Sequence, residues 1–104
     1  AVTSPGLMPS HYATSTPLRI VEDLNLYASR SDVGILLFGK REQVFSGPVE
    51  HLSVSSDPAE AAKRLYQAMR KLDSLSLSLI VVKLLPESGI GIAINNRLRK
   101  AANN

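Results

Sequence analysis

The side chains of this sequence that could do chemistry fall into small groups. The first is Ser4-Pro5-Gly6 followed by His11-Tyr12, in a stretch rich in Pro, Ser, Thr and Gly. Pro-Gly gives a sharp turn of low conformational entropy. A histidine can donate to a phosphate oxygen, and a tyrosine offers a ring plus a hydroxyl. The stretch has no apolar pattern of its own, so it reads as an arm made to lie on another surface. The second group is Gly89-x-Gly91, which follows an apolar run and opens a helical pattern. Phosphate loops occupy such places, because bare backbone amides and the helix dipole favour anions. The third position of the dinucleotide fingerprint, where Gly or Ala is needed, holds Ile94, and the motif follows the last strand rather than the first. The simpler reading is a close backbone turn that seats the final helix. The third group is Asn96-Arg97, with Arg99 and Lys100 beyond it. Cations near a helix C-terminus are favoured by the dipole, so a solvated face is the default and a functional Asn96-Arg97 pair the alternative.

Other chemistries are excluded by what is missing. Glu22-Asp23 at the end of the first strand and Lys83 at the end of the last have the disposition of a phospho-receiver site. That chemistry needs an accepting Asp at the end of the third strand. Ser53, Ser55 and Ser56 stand there, and Asp57 is better explained as a helix cap. His11 and His51 are the only histidines and are not at metal-ligand spacing, so no metal site is expected. His51 is expected on the exposed face of a strand. The absence of cysteine rules out a disulfide framework, a thiolate zinc site and a cysteine nucleophile, and fits a reducing compartment. Neither a G-x-S-x-G elbow nor a G-x-x-x-x-G-K-[ST] loop is present. Nothing assembles nucleophile, base and oxyanion hole, so no catalytic residue is expected in this chain.

The elements that must position these groups alternate between strand and helix. Residues 17–22 read as a short strand, and 24–30 as one or two helical turns with Leu24, Leu26 and Tyr27 free to pack. The apolar run 32–39, bounded by turn residues, has the signature of a strand buried on both faces. Residues 49–54 alternate as a half-exposed strand. Asp57-Pro58-Ala59-Glu60 is a helix start: Asp57 caps, Pro58 suits the first helical position and Glu60 closes the capping box. Ala61, Ala62, Leu65, Tyr66, Ala68, Met69 and Leu72 then recur at spacings of three and four, with Glu60 and Arg64 as an ion pair four apart. A fourth strand over 77–83 and a last helix over about 93–102 complete the pattern. The alternation predicts an α/β fold: a small Rossmann-like three-layer sandwich, its mostly parallel sheet of four strands flanked by helices on both faces. Residues 1–16 are the arm and 17–104 the domain.

The bulk numbers agree with one small domain. At 104 residues, roughly 60–65% of the unfolded surface should be buried. With 44% hydrophobic and only 5% aromatic residues, the core must be aliphatic. A formal charge of +3 permits nucleic acid binding without demanding it, and no aromatic-plus-basic platform accompanies the charge. No apolar run approaches the ~20 residues of a membrane span. The start, Ala1-Val2-Thr3-Ser4, lacks an initiator Met and a signal pattern, and reads as the cut edge of something longer.

Three blocks in order carry a family resemblance. Ser4-Pro5-Gly6-x-x-x-x-His11-Tyr12-Ala13 with Thr16-Pro17-Leu18 resembles the interdomain linker and first strand of the two-domain L-threonylcarbamoyladenylate synthases of the YrdC-Sua family. Arg64-Leu65-Tyr66-Gln67-Ala68-Met69-Arg70-Lys71-Leu72-Asp73 is similar to the long helix of their C-terminal domain. Gly89-x-Gly91-x-Ala93-x-x-Asn96-Arg97-Leu98-x-Lys100-Ala101-Ala102 is similar to that domain's end. The resemblance implies an accessory domain of a cytoplasmic nucleotidyltransferase. That enzyme joins L-threonine, bicarbonate and ATP, with magnesium, into threonylcarbamoyl-AMP, releasing pyrophosphate. The product feeds threonylcarbamoyladenosine formation in tRNA, so tRNA is an indirect partner and no membrane is involved. The catalytic partner is a YrdC-like domain of the same chain; the accessory domain is implied to bind no cofactor and to be inactive alone. Ser4, Pro5, Gly6, His11 and Tyr12 are then implied to face that domain's nucleotide cavity as a lid. Leu7, Ser10 and Thr14 depart from the common pattern, and Ser10 removes a basic phosphate contact. The residues alone leave open a non-catalytic module that binds nucleotide or tRNA through Gly89, Gly91 and the Arg97–Lys100 helix, or a domain that docks a partner through its sheet edge or arm.

Overall fold

A computed structural model of the chain describes residues 14–103. Four strands form one sheet: β1 (Leu18–Ile20), β2 (Val33–Phe38), β3 (Val49–Ser53) and β4 (Leu79–Val82). Two helices follow β3 and β4, α1 (Pro58–Asp73) and α2 (Ile90–Ala102), and a 3₁₀ turn spans Leu24–Tyr27. The strand order is β1-β4-β2-β3, and every pair is parallel. The α/β class and the parallel four-stranded sheet are those the alternation predicts.

Register divides the apolar residues between two faces. Leu18 opposes Ile80, which opposes Gly34, while Ile20, Val82, Leu36 and Glu50 form the next row. Alternate residues therefore point together. Leu18, Leu36, Leu52, Ile80 and Val82 face α1 and α2, meeting Leu65, Met69, Leu72, Ile94 and Leu98 in the main core. Val33, Ile35, Leu37, Leu79 and Val81 face the other way. β2 and β4 are thus apolar on both sides, which the unbroken run at 32–39 predicts for β2.

The sequence pattern places helices on both faces; the structure puts α1 and α2 together against one. The third layer is made instead by the 3₁₀ turn and the loop 39–48, through Leu24, Tyr27 and Phe45. The physical reason is strand order. β1→β2 and β2→β3 step one way across the sheet, and β3→β4 steps back. Right-handed crossovers put those two directions on opposite faces. The forward connections, 21–32 and 39–48, carry no α-helix.

Local expectations are corrected in the same way. A 3₁₀ helix has three residues per turn, so Leu24 and Tyr27 share the packed side, while Leu26 points away and is 76% exposed. On α1, Ala61, Leu65, Ala68, Met69 and Leu72 are buried, but Ala62 is exposed and Tyr66 only partly buried. Asp57 caps α1 by accepting from Ala59 N at 3.0 Å, with Pro58 at the first position. Glu60 does not close a capping box: Ser53 Oγ accepts from Asp57 N at 2.9 Å and donates to Glu60 Oε1 at 2.5 Å. A buried strand end thus supplies what the local motif was expected to provide. α2 begins at Ile90, earlier than the expected residue 93, and takes Gly91 into its first turn.

Candidate functional site

Open parallel sheets bind ligands beyond the carboxyl ends of their strands, where connections diverge to opposite faces. Here that edge holds a crevice of about 800 Å³. β1 and β4 are neighbours, and after them the chain turns to opposite sides of the sheet. Glu22 and Asp23 follow β1, Lys83 follows β4, and all three line the crevice. The acidic pair and the lysine are therefore brought together as their positions predict. The receiver site stays incomplete, because β2 ends on Phe38-Gly39-Lys40 and Ser53 is consumed in capping α1. Among the described residues no group of three or more His, Cys, Asp or Glu is placed to hold a metal ion.

The floor is apolar and the rim is charged. Leu37 and Phe38 of β2, Phe45 of the following loop, and Leu84 and Leu85 after β4 form the floor. Lys40 and Glu42 join Glu22, Asp23 and Lys83 around it. Asp23 is held in place because its Oδ1 accepts from Asn25 N at 2.9 Å, capping the 3₁₀ turn. Gln43, also lining the crevice, carries a fully buried Nε2 with no hydrogen-bond partner among the described residues. Such a donor costs roughly 1–3 kcal/mol while it stays unpaired.

The wall made by residues 84–88 is pinned by one buried side chain. Leu85 N donates to Asn95 Oδ1 at 2.8 Å, and Asn95 Nδ2 donates to Leu85 O at 2.8 Å and to Glu87 Oε1 at 3.0 Å. Arg99 forms an ion pair with Glu87. Hydrogen bonds from Arg99, then from Asn95, hold the Glu87 carboxyl below its ordinary pKa. Gly91 lets α2 approach this wall: a Cβ there would lie 2.3 Å from Pro86 O. Gly89, with φ 56°, occupies the left-handed region that favours glycine. Both glycines thus have structural work, and neither lines the crevice.

The other predicted residues lie elsewhere. Asn96 is exposed and accepts from Arg99 Nη1 at 3.1 Å; Arg97 is exposed on the same helix. The residue that matters is their neighbour Asn95, 0% exposed. Its signal was available, since 91, 94, 95, 98 and 101 form one buried stripe and Asn95 is its polar member. His51 is partly buried on β3 opposite Leu37, rather than on an open face. Ser4, Pro5, Gly6, His11 and Tyr12 lie outside the described residues. The root of their arm is described: Asp73, ending α1, accepts from Ser15 N at 3.1 Å and from Thr16 N at 2.8 Å, and Thr16 is buried.

Comparison with known proteins gives one consistent result. The family model for the C-terminal domain of threonylcarbamoyl-AMP synthase matches residues 1–103. A threonylcarbamoyl-AMP synthase of Bacillus subtilis (strain 168) is 32% identical over 109 residues, covering 95% of this chain and 32% of that protein. One of Pyrococcus abyssi (strain GE5 / Orsay) is 29% identical over 107 residues, with 95% and 32% covered. The crystal structure of P. abyssi Sua5 complexed with L-threonine matches at a TM-score of 0.71 and 28% identity, over 96% of this chain and 32% of that one. The chain spans about a third of the length of the relatives it matches.

Proposed function

The chain belongs to the threonylcarbamoyl-AMP synthase C-terminal domain family, and from that membership we propose that it is the accessory domain of such a synthase. The reaction served is the joining of L-threonine, bicarbonate and ATP into threonylcarbamoyl-AMP, with release of pyrophosphate. The setting is cytoplasmic tRNA modification. The ATP and magnesium that enter this reaction are held by a YrdC-like catalytic domain of the same chain. Among the described residues no helix is long and apolar enough to cross a membrane.

The observation that carries this reading is the family match across residues 1–103, which takes in arm and domain as one unit. Residues 1–16 are then the end of the interdomain linker. Ser4, Pro5, Gly6, His11 and Tyr12 form a lid over the nucleotide cavity, where excluding water protects a labile carbamate. The Asp73 clamp on Ser15 and Thr16 supports this role, because it fixes the point from which the arm departs. The protein with its upstream catalytic domain is expected to release pyrophosphate from ATP only when threonine and bicarbonate are both present. The 104-residue chain alone is expected to release none. Release by the isolated chain would overturn the accessory role, and failure of the longer protein would overturn the family's reaction here.

A further inference from the structure

The crevice at the carboxyl edge is a separate matter from the lid, and it lies on this domain itself. Its chemistry is mixed. One partly buried aromatic ring, Phe45, stands with Leu24 and Leu37 on the loop face and offers an apolar seat for a flat body, while Phe38 lines the crevice from the helical face. Two carboxylates, Glu22 and Asp23, line it as neighbours in the chain, and the second is already fixed by the Asn25 amide. Paired carboxylate oxygens accept from vicinal hydroxyls, as the acidic residue of dinucleotide folds does from a ribose. Gln43 lines the crevice with an amide donor that has no partner among the described residues. The terminal torsion of a glutamine is broad, so rotation about it can turn that donor toward a ligand acceptor. Glu22, Asp23 and Glu42 stand against Lys40 and Lys83 on the rim. That balance does not suit a polyphosphate chain.

We infer that this crevice binds a nucleoside-class ligand: a flat heterocycle on Phe45, its ribose diol on Glu22 and Asp23, and a ring acceptor on Gln43. The inference does not rest on the family reading, because each contact comes from the fold alone. It differs from a phosphate site at Gly89 and Gly91, which lie outside the crevice lining.

The test is a titration of the ¹⁵N-labelled chain, whose core is built wholly from its own residues, with adenosine, ATP and L-threonine in parallel. Adenosine is expected to give saturable amide shifts at Asn25, Gln43, Phe45 and Lys83–Leu85, with α1 unmoved. ATP should bind several-fold more weakly at the same amides. Gln43→Leu, which removes the donor, should weaken adenosine about tenfold while strand amides keep their positions. Gln43→Glu, of equal size, should do the same and covers the case in which the apolar variant misfolds. Absence of saturable crevice shifts with millimolar adenosine would overturn the inference. So would tighter binding of ATP or threonine than of adenosine at those amides.

Discussion

The two faces of this sheet share the same central strands and end in different ways. On one side, two helices cover Leu36, Leu52, Ile80 and Val82, and the residues they turn toward the sheet, Leu65, Met69, Leu72, Ile94 and Leu98, are almost wholly buried, with Ile90 and Ile92 exposed at the start of α2. On the other, a 3₁₀ turn and a loop cover Ile35, Leu37 and Val81, leaving Leu26 and Val44 76% and 85% exposed. The helical face is closed at its joints as well: the start of α1 is capped by Asp57 and Ser53. The loop face ends in the crevice, with a Gln43 donor that has no partner among the described residues. The contrast teaches a division of labour. Stability is concentrated under the helices, and what remains adaptable lies where connections are short and unhelical.

That division can be broken by mutation. Leu65→Ala or Leu72→Ala, each fully buried under the helical face, should cost about 2–5 kcal/mol in urea unfolding. Asn95→Ala sits at the junction of the two regions. It leaves the Leu85 amide without its partner and should cost roughly 1–3 kcal/mol. It should also speed hydrogen exchange in residues 84–88 while leaving α1 protected. Asp57→Ala removes one helix cap and should cost about 1 kcal/mol. Leu26→Ser or Val44→Ser on the loop face should stay within about 0.5 kcal/mol of the parent; a loss as large as that of Leu65→Ala would erase the contrast.

A pH experiment sharpens the comparison at the opposite edge, where β2 begins. Arg30 donates to Asp32 through Nε at 2.9 Å and Nη2 at 2.8 Å. These bonds, then one from Ser78, hold the Asp32 carboxyl well below the usual carboxylate range. A carboxyl whose folded-state pKa is lowered stabilises the fold above its unfolded value, near about 4. That contribution fades as pH falls below this value toward the lowered folded one. Asp32→Asn should therefore flatten the pH dependence of the urea midpoint only below about pH 4. A difference in slope confined to neutral pH would contradict the assignment. The effect should be small, because the pair is exposed and screened by salt.

Features encoded by neighbours in sequence were legible before the fold was known. The apolar run around Ile35 announced a strand buried on both faces, and Asp57-Pro58 announced the start of α1. Features that depend on which strands meet were not. The side on which α1 lies follows from strand order, which periodicity does not carry. Ser53 displaced Glu60 from the cap because β3 delivers its hydroxyl there. Asn95 was masked by the more conspicuous Asn96-Arg97 pair, although its place in the apolar stripe was readable. The crevice is assembled from segments around Glu22, Phe38, Gln43 and Lys83 that no local motif links. The residues proposed as a lid, His11 and Tyr12 among them, are legible only through family resemblance and lie outside the described residues.

The central claim is that His11 and Tyr12 act on a catalytic site outside this domain. Pyrophosphate release from ATP by the longer protein, with threonine and bicarbonate saturating, tests it most directly when wild type is set against His11→Ala and Tyr12→Ala. The account predicts a fall of about 10- to 100-fold, the scale of a mispositioned closure, with an unchanged melting temperature. Turnover equal to wild type in both variants would contradict it.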